Sequence, residues 1–361
     1  MPPVPARFYE QTKSARKIIV VDLGFLGDSV HLVPALWEIK RHYPAAQLHT
    51  LSAAVGAELL GLAPCVDRAW AFPLTPQSPP WWRHWDIIGA LRREKFDAAF
   101  NFSGADRTIF LTALTGAKWR LGHEGGRRHF WNRWLIENWV PRQGQAIPVY
   151  EQRRQVLAAA GFSLEGARFD LQVPVKARES AAAGIPANSI HLSINASTPL
   201  KEWPLENWAE LAGLILKSDP AVQLVATAAG NAREPARLDR LAAAVPAARL
   251  LCLPGLNIGQ LAALLQRCRL HLGADSGVLH LAAALGIATF TVFRKYPGLK
   301  EWLPPAGPQH KYLAAGCPCL DSGRNHCLAG GRAECLGAIS ATEVFDAIRP
   351  MWPIAAPHLK L

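Results

Sequence analysis

Apolar residues along this chain fall into two alternating patterns. Ile18-Ile19-Val20-Val21 is a short β-branched run with no polar interruption, the pattern of a strand buried on both faces. A bend at Gly24 and Gly27 follows. Val30, Val33, Leu36, Trp37 and Ile39 then recur at the three- and four-residue spacing of a helix with one apolar stripe. The alternation continues with strands predicted at Gln47–Leu51 and Asp97–Phe102 and helices at Trp85–Lys95 and Arg107–Thr115. Pro73–Pro80, with four prolines, reads as a stiff connector.

A second series begins at His191–Asn195. It runs through a helix at Leu205–Lys217, a strand at Ala221–Thr227, a helix at Ala232–Ala244 and a strand near Leu250. A helix at Ile258–Arg267, a strand at Leu270–Ala274, a helix at Val278–Leu285 and a strand at Ala288–Phe293 complete it. Strands alternating with helices predict parallel sheets covered on both faces, an α/β class. Pro174–Pro186, rich in small and turn residues, reads as the linker. This gives an N-terminal domain over 1–175, a C-terminal domain over 187–340, and a terminal helix and tail over 341–361. In open parallel sheets ligands bind at the strand C-terminal ends, so two such domains facing each other predict a ligand crevice.

Composition supports burial of a substantial core. The chain has 361 residues, 50% hydrophobic and 19% charged, which excludes disorder. Its formal net charge is +11, spread over both halves: 21 Lys+Arg against 15 Asp+Glu in residues 1–175, and 18 against 13 in 176–361. A distributed positive field suits anionic partners such as sugar nucleotides, phosphorylated lipids or nucleic acid. The run Ile18–Leu26 is interrupted by Asp22 and Gly24 and lacks a small-residue cleavage pattern, so a cytoplasmic protein without a signal peptide is expected. Cys65, Cys252 and Cys268 stand singly in apolar segments and read as reduced core residues.

Several chemistries are excluded by inspection. The sequence has no G-x-x-x-x-G-K-[ST], H-E-x-x-H, G-x-S-x-G or D-x-D motif, and Gly24-Phe25-Leu26-Gly27-Asp28 is not a dinucleotide fingerprint. Three strand-to-helix junctions carry the candidate chemistry instead. Asp28 opens the first long helix, where a carboxylate serves either as an N-cap or as a general base. Ser197, Thr198 and Lys201 precede Pro204, in a loop that is either an ordinary helix entry or an anion site. Asp275-Ser276-Gly277 leads to His280 one turn later, either a capped helix start or a pyrophosphate cradle. The pair Glu202 and Glu210 matches an E-x7-E pattern, which arises easily by chance because Glu210 lies within an amphipathic helix.

In order along the chain, these motifs resemble the bacterial lipopolysaccharide heptosyltransferases. The resemblance rests on Val21-Asp22-Leu23-Gly24-Phe25-Leu26-Gly27-Asp28 with Pro34-Ala35-Leu36, on Tyr43-Pro44 and Val66-Asp67-Arg68, and on Thr115-Gly116-Ala117 with Arg120-Leu121-Gly122. It continues in Lys201-Glu202-Trp203-Pro204 with Trp208-Ala209-Glu210-Leu211, and in Asp275-Ser276-Gly277 with His280–Gly286. It spans roughly Lys17 to Ile348. It implies a GT-B fold, two Rossmann-like doubly wound domains facing an interdomain cleft. It also implies inverting, metal-independent transfer of heptose from ADP-heptose to an inner-core lipopolysaccharide acceptor. By this resemblance Asp28 is the general base and Lys201 a catalytic phosphate ligand. Gly27, Ser197, Thr198, Lys201, Asp275, Ser276, Gly277 and His280 line the donor site. The implied setting is cytoplasmic, at the inner face of the membrane, with lipopolysaccharide core and lipid A as partner and no nucleic acid. The chain differs from family members in Pro199-Leu200 before the lysine and in Tyr150-Glu151-Gln152-Arg153-Arg154, where a histidine often opens the helix.

Between Lys118 and Arg142 six basic residues interleave with Phe130, Trp131, Trp134 and Trp139. Such a stretch is either a solvated face beside core aromatics or a surface for an anionic glycolipid; Arg120, Arg127 and Arg128 are the candidate acceptor contacts. Cys317, Cys319, Cys327 and Cys335 fall within nineteen residues, enough thiols to close a structural zinc or iron site. Two further readings are a transferase using another nucleotide sugar or a protein acceptor, and a noncatalytic carbohydrate- or nucleic-acid-binding module.

Overall fold

The computed structural model describes residues 8–74, 84–123, 129, 131–141, 147–187, 189–230, 233–296, 298–305, 307–322 and 333–351. The chain divides into two compact units, Met1–Gln172 and Val173–Leu361.

The first unit holds six parallel strands, β1 (Lys17–Val21), β2 (Gln47–Ala53), β3 (Arg68–Phe72), β4 (Ala98–Asn101), β5 (Trp119–His123) and β6 (Asn138–Val140), in the order β3-β2-β1-β4-β5-β6. The helices are α1 (Phe8–Thr12), α2 (Leu26–His42), α3 (Ala54–Leu60), α4 (Trp85–Arg93), α5 (Asp106–Leu114), α6 (Asn132–Leu135) and α7 (Val149–Ala159). Period-two alternation in β1 explains the double covering. Ile18 and Val20 pack with Leu32, Leu36, Phe100 and Leu157, whereas Ile19 and Val21 pack on the other face with Leu51, Phe72, Ile88 and Leu111.

The second unit begins with α8 (Val175–Gly184) and holds β7 (Ser189–Ser193), β8 (Leu224–Ala228), β9 (Leu250–Pro254), β10 (Cys268–Ala274), β11 (Ala288–Arg294) and β12 (His310–Ala315). They are parallel in the order β12-β11-β10-β7-β8-β9. The remaining helices are α9 (Leu205–Ser218), α10 (Arg233–Ala244), α11 (Ile258–Arg267), α12 (Gly277–Ala284), α13 (Pro318–Asp321), α14 (Glu334–Gly337) and α15 (Ala341–Ile348). One sheet face, with Ile190, Leu192, Leu270, Leu272 and Phe290, packs against Trp203, Trp208 and α15. The other carries buried His191, His271, Thr289 and Thr291.

From β3 in the first sheet and from β9 in the second, both have the doubly wound 3-2-1-4-5-6 order, with a switch point between β1 and β4 in one unit and between β7 and β10 in the other. The predicted linker is corrected: Pro174–Pro186 contains α8, which packs on α11, and the units divide just before it. Ala177, Ala181, Ala182 and Ala183 favour helix without producing a stripe, and only Ala181 of this helix is buried. Of the cysteines read as core residues, Cys65 and Cys268 are buried and Cys252 is partly exposed in the middle of the sheet edge strand β9.

Candidate active site

In the first unit the chain leaves β1 at Asp22 and enters α2 through Phe25. Asp28 is not the N-cap, as one sequence reading had it. Phe25 holds that position, and Asp28 sits three residues into the helix, with its carboxylate accepting the Phe25 N–H at 3.0 Å. Gly24 makes this possible, because a Cβ there would lie 2.4 Å from Asp28 Cβ. Gly27, expected among the donor ligands, is buried beside Asp28 in the first turn of α2.

A pocket of about 190 Å³ opens over these residues, lined by Asp22, Asp28, Ser103, His123, Gln152 and Arg153 among others. Arg153 comes from α7 and is buried. Its Nη2 donates to Asp22 Oδ2 at 2.7 Å and lies 3.6 Å from Asp28 Oδ1, while its Nη1 donates to the Asp28 carbonyl oxygen. Burial raises the Asp28 carboxyl above the ordinary carboxylate range; the Arg153 charge opposes that rise and the Asp22 charge adds to it. A carboxylate facing a pocket with raised proton affinity is suited to take a proton from a bound hydroxyl.

In the second unit, the residues predicted from two separate motifs converge at the ends of adjacent strands β7 and β10. Lys201 Nζ lies 2.9 Å from Asp275 Oδ2. Thr198 caps a short 3-10 turn, Pro199–Lys201, its Oγ1 accepting the Leu200 N–H at 3.0 Å; Ser197 is exposed. Ser276 is the N-cap of α12 by backbone conformation, but its side chain makes no cap bond, and its Oγ is buried with no hydrogen-bond partner among the described residues. Gly277 opens α12. His280, on the next turn, is buried near the Trp302 ring, and burial pushes its pKa down to about 4, so it is neutral at pH 7. A lysine, an unengaged hydroxyl and a helix N-terminus together form an anion-binding constellation.

Two features were missed in the sequence. Glu202, set aside with the E-x7-E pattern, is buried and clamps the lysine loop: Oε1 accepts the Ala196 N–H at 3.1 Å and Arg233 Nη1 at 2.5 Å, and Arg237 Nε lies 3.5 Å from Oε2. Arg233 and Arg237, four apart on α10, are the signal that could have revealed it. Arg153 was read only as part of a helix opening; two consecutive arginines beside Val156 and Leu157 mark a helix face that needs buried acids, and Asp22 and Glu38 supply them.

Other expected residues stand apart. Arg120 is paired with Glu137, its Nε donating to Oε2 at 3.1 Å, and it does not line the Asp28 pocket. Arg127 and Arg128 lie outside the described residues, as does Cys327. Cys317 is buried, and burial together with this neighbour pushes the Cys335 thiol up to about 11. Among the described residues, no three His, Cys, Asp or Glu side chains are grouped to hold a metal ion, and no helix is long and apolar enough to cross a membrane.

The chain is similar to known glycosyltransferases. Lipopolysaccharide heptosyltransferase 1 of Pseudomonas aeruginosa is 26% identical over 326 residues, covering 86% of this chain and 87% of the relative. A glycosyl transferase family 9 structure from Veillonella parvula superposes with a TM-score of 0.77 at 18% identity, over 93% of this chain and 97% of that one. The Escherichia coli heptosyltransferase WaaC with ADP gives 0.71 at 20% identity, over 92% and 99%. These likenesses establish the GT-B fold. The sequence profile of glycosyltransferase family 9 (heptosyltransferase) matches residues 84–330, and the chain belongs to that family of glycosyltransferases.

Proposed function

We propose that this glycosyltransferase moves heptose from ADP-heptose to an inner-core lipopolysaccharide acceptor, inverting the anomeric centre in a single displacement. Asp28 takes the proton of the acceptor hydroxyl, whose oxygen forms the new bond to the anomeric carbon. The bond from that carbon to the ADP oxygen breaks, and ADP leaves with its electron pair. Lys201, the Ser276 hydroxyl and the α12 amides receive the charge that develops on the leaving phosphate, a role that needs no metal ion. Gly27, Ser197, Thr198, Asp275, Gly277 and His280 complete the donor side of the reading.

The observation that carries it is the pairing of functions at two switch points: a pocket-facing carboxylate of raised proton affinity after β1, and a lysine with an unengaged hydroxyl after β7 and β10. The first unit then serves the acceptor and the second the nucleotide. Relatives whose names specify lipopolysaccharide, and a solved relative holding ADP, supply the substrate class. The acceptor places the enzyme in the cytoplasm at the inner membrane surface, with Arg127 and Arg128 as its anion contacts. A donor panel tests the nucleotide assignment. ADP-heptose at about 100 Kd should stabilise the fold by roughly 2.7 kcal/mol, and an equal response to UDP- or GDP-sugars would refute it.

A structural zinc or iron ion on Cys317, Cys319, Cys327 and Cys335 belongs to the same reading, outside the chemistry. The Cys317–Cys335 contact supports it. Metal analysis of protein purified without chelator should find one equivalent, and well under one removes the ion from the account.

A further inference from the structure

Two carboxylates compete for one buried guanidinium beside the pocket, and the division between them is uneven. Asp22, 3% exposed, has both oxygens engaged: Oδ1 accepts the Gly24 N–H at 2.9 Å and Oδ2 accepts Arg153 Nη2 at 2.7 Å. Asp28 faces the pocket with its side chain 26% exposed, and its Oδ1 is held at 3.6 Å from the same Nη2, beyond hydrogen-bonding distance. The other guanidinium nitrogen, Nη1, goes to the Asp28 backbone carbonyl rather than to its carboxylate. A structural ion pair needs only one acid. Here the acid turned away from solvent takes the close contact, and the pocket-facing acid is left with a longer one.

We infer that Asp22 is a positioning residue for Asp28: by occupying Arg153 it prevents that guanidinium from neutralising the carboxylate that takes the acceptor's proton. The inference rests on the reading of Asp28 as general base. Arg153 does two things at once. Through Nη1 it fixes the first turn of α2, and through Nη2 it is held on Asp22. A full Arg153–Asp28 pair would lower the proton affinity of Asp28 and leave a poor base. Among the described residues, the charged or titratable groups lining the pocket beside Asp28 are Arg153 from α7, Asp22 from the β1 end and His123 from the β5 end. Burial is the first cause that raises the Asp28 carboxyl; Arg153 pulls it down and Asp22 pushes it up.

Carbon-13 carboxyl NMR of the full chain labelled at aspartate reads the proton affinity of Asp28 directly, the signal being assigned by its loss in Asp28→Asn. Asp22→Asn should lower the Asp28 midpoint by about one pH unit, and Arg153→Gln should raise it by a similar amount. The acid limb of kcat/KM for ADP-heptose transfer should move in the same two directions, with kcat lower in Asp22→Asn because the base is weaker. Midpoints that stay put, or that move together in both variants, would overturn the inference. Arg153→Gln carries the test alone if Asp22→Asn fails to fold. Midpoints that move in opposite directions without heptosyl transfer would uphold the electrostatic division and refute the transferase reading; transfer with unmoved midpoints would do the reverse.

Discussion

Lys201 Nζ and Asp275 Oδ2 meet at 2.9 Å, joining the loop after β7 to the loop after β10 at the ends of neighbouring strands. Asp275 precedes the α12 N-cap, so in the proposed reading a diphosphate at that helix start competes with Asp275 for the lysine. Lys201→Met should weaken ADP binding about 10- to 100-fold, the equivalent of roughly 1.4–2.7 kcal/mol. Calorimetric titration with ADP checks this. Unchanged affinity would remove Lys201 from the phosphate site.

Glu202, the next residue, is buried and ties down the loop that carries that lysine through the Ala196 N–H. Glu202→Gln leaves the Arg233 and Arg237 charges without their shared acid and loosens the Ala196–Lys201 loop. Because Arg233 is 39% exposed, the expected loss is about 2 kcal/mol, below the ~3–5 kcal/mol of a fully buried pair. Urea unfolding gives the stability change. ADP affinity should fall with it, since the loop carries Thr198 and Lys201.

Gly24→Ala places a methyl 2.4 Å from Asp28 Cβ and 2.8 Å from Oδ2. Either Asp28 swings away or α2 shifts at its first turn, and both misplace the carboxylate. A fall in kcat of at least about 10-fold is expected, with ADP affinity largely retained because the proposed phosphate contacts, Lys201 and Ser276, lie in the other unit. Steady-state kinetics with an ADP titration separate the two effects.

Acid should destabilise the second unit through its histidine pair. His191 Nδ1 and His271 Nδ1 are 2.8 Å apart, and His191 Nε2 is 2.9 Å from Thr227 Oγ1. Burial pushes His191 down to about 3 and His271 well below its ordinary value. Above the unfolded value near 6.5 both states are neutral and pH has no effect through these groups. As pH falls below it, the unfolded chain takes up protons that the folded chain refuses, so stability declines down toward the folded values. Each histidine contributes up to about 1.4 kcal/mol per pH unit in that window. His191→Gln should flatten the decline between pH 6 and pH 4 in urea-unfolding series; an unchanged slope would show that the pair is not its source.

The parts of this structure legible in sequence are those written in local pattern. The β-branched runs at Ile18 and Ala288 and the amphipathic stripe of Ile258–Arg267 fix strands and helices because both faces, or one stripe, must be apolar. Of the edge strands, β9 was expected near Leu250, whereas β3, β6 and β12 were not visible. β3 is half exposed over Arg68–Phe72 and β6 has three residues, so neither needs an uninterrupted apolar run. The candidate site divides the same way. Asp28, Lys201 and Ser276 stand at glycine- or proline-marked junctions and were readable. Arg153 and Glu202 act through partners more than 25 residues away, Asp22 and Arg233, and no local spacing encodes such a pairing.

Asp28→Asn addresses the central claim. Asp28 has a folded pKa above its ordinary value, so its stabilising contribution is present at acid pH and is lost as pH rises through the folded value; at neutral pH its charge is a cost. The asparagine variant should therefore be at least as stable as the parent at pH 7, and its ADP affinity should match. The decisive measurement is ADP release from ADP-heptose with and without a deacylated lipopolysaccharide-core acceptor, parent against Asp28→Asn. The account predicts acceptor-dependent release in the parent and its loss, by about 100-fold or more, in the folded, ADP-binding variant. Release that persists in Asp28→Asn, or a parent that releases no ADP with acceptor present, would contradict it.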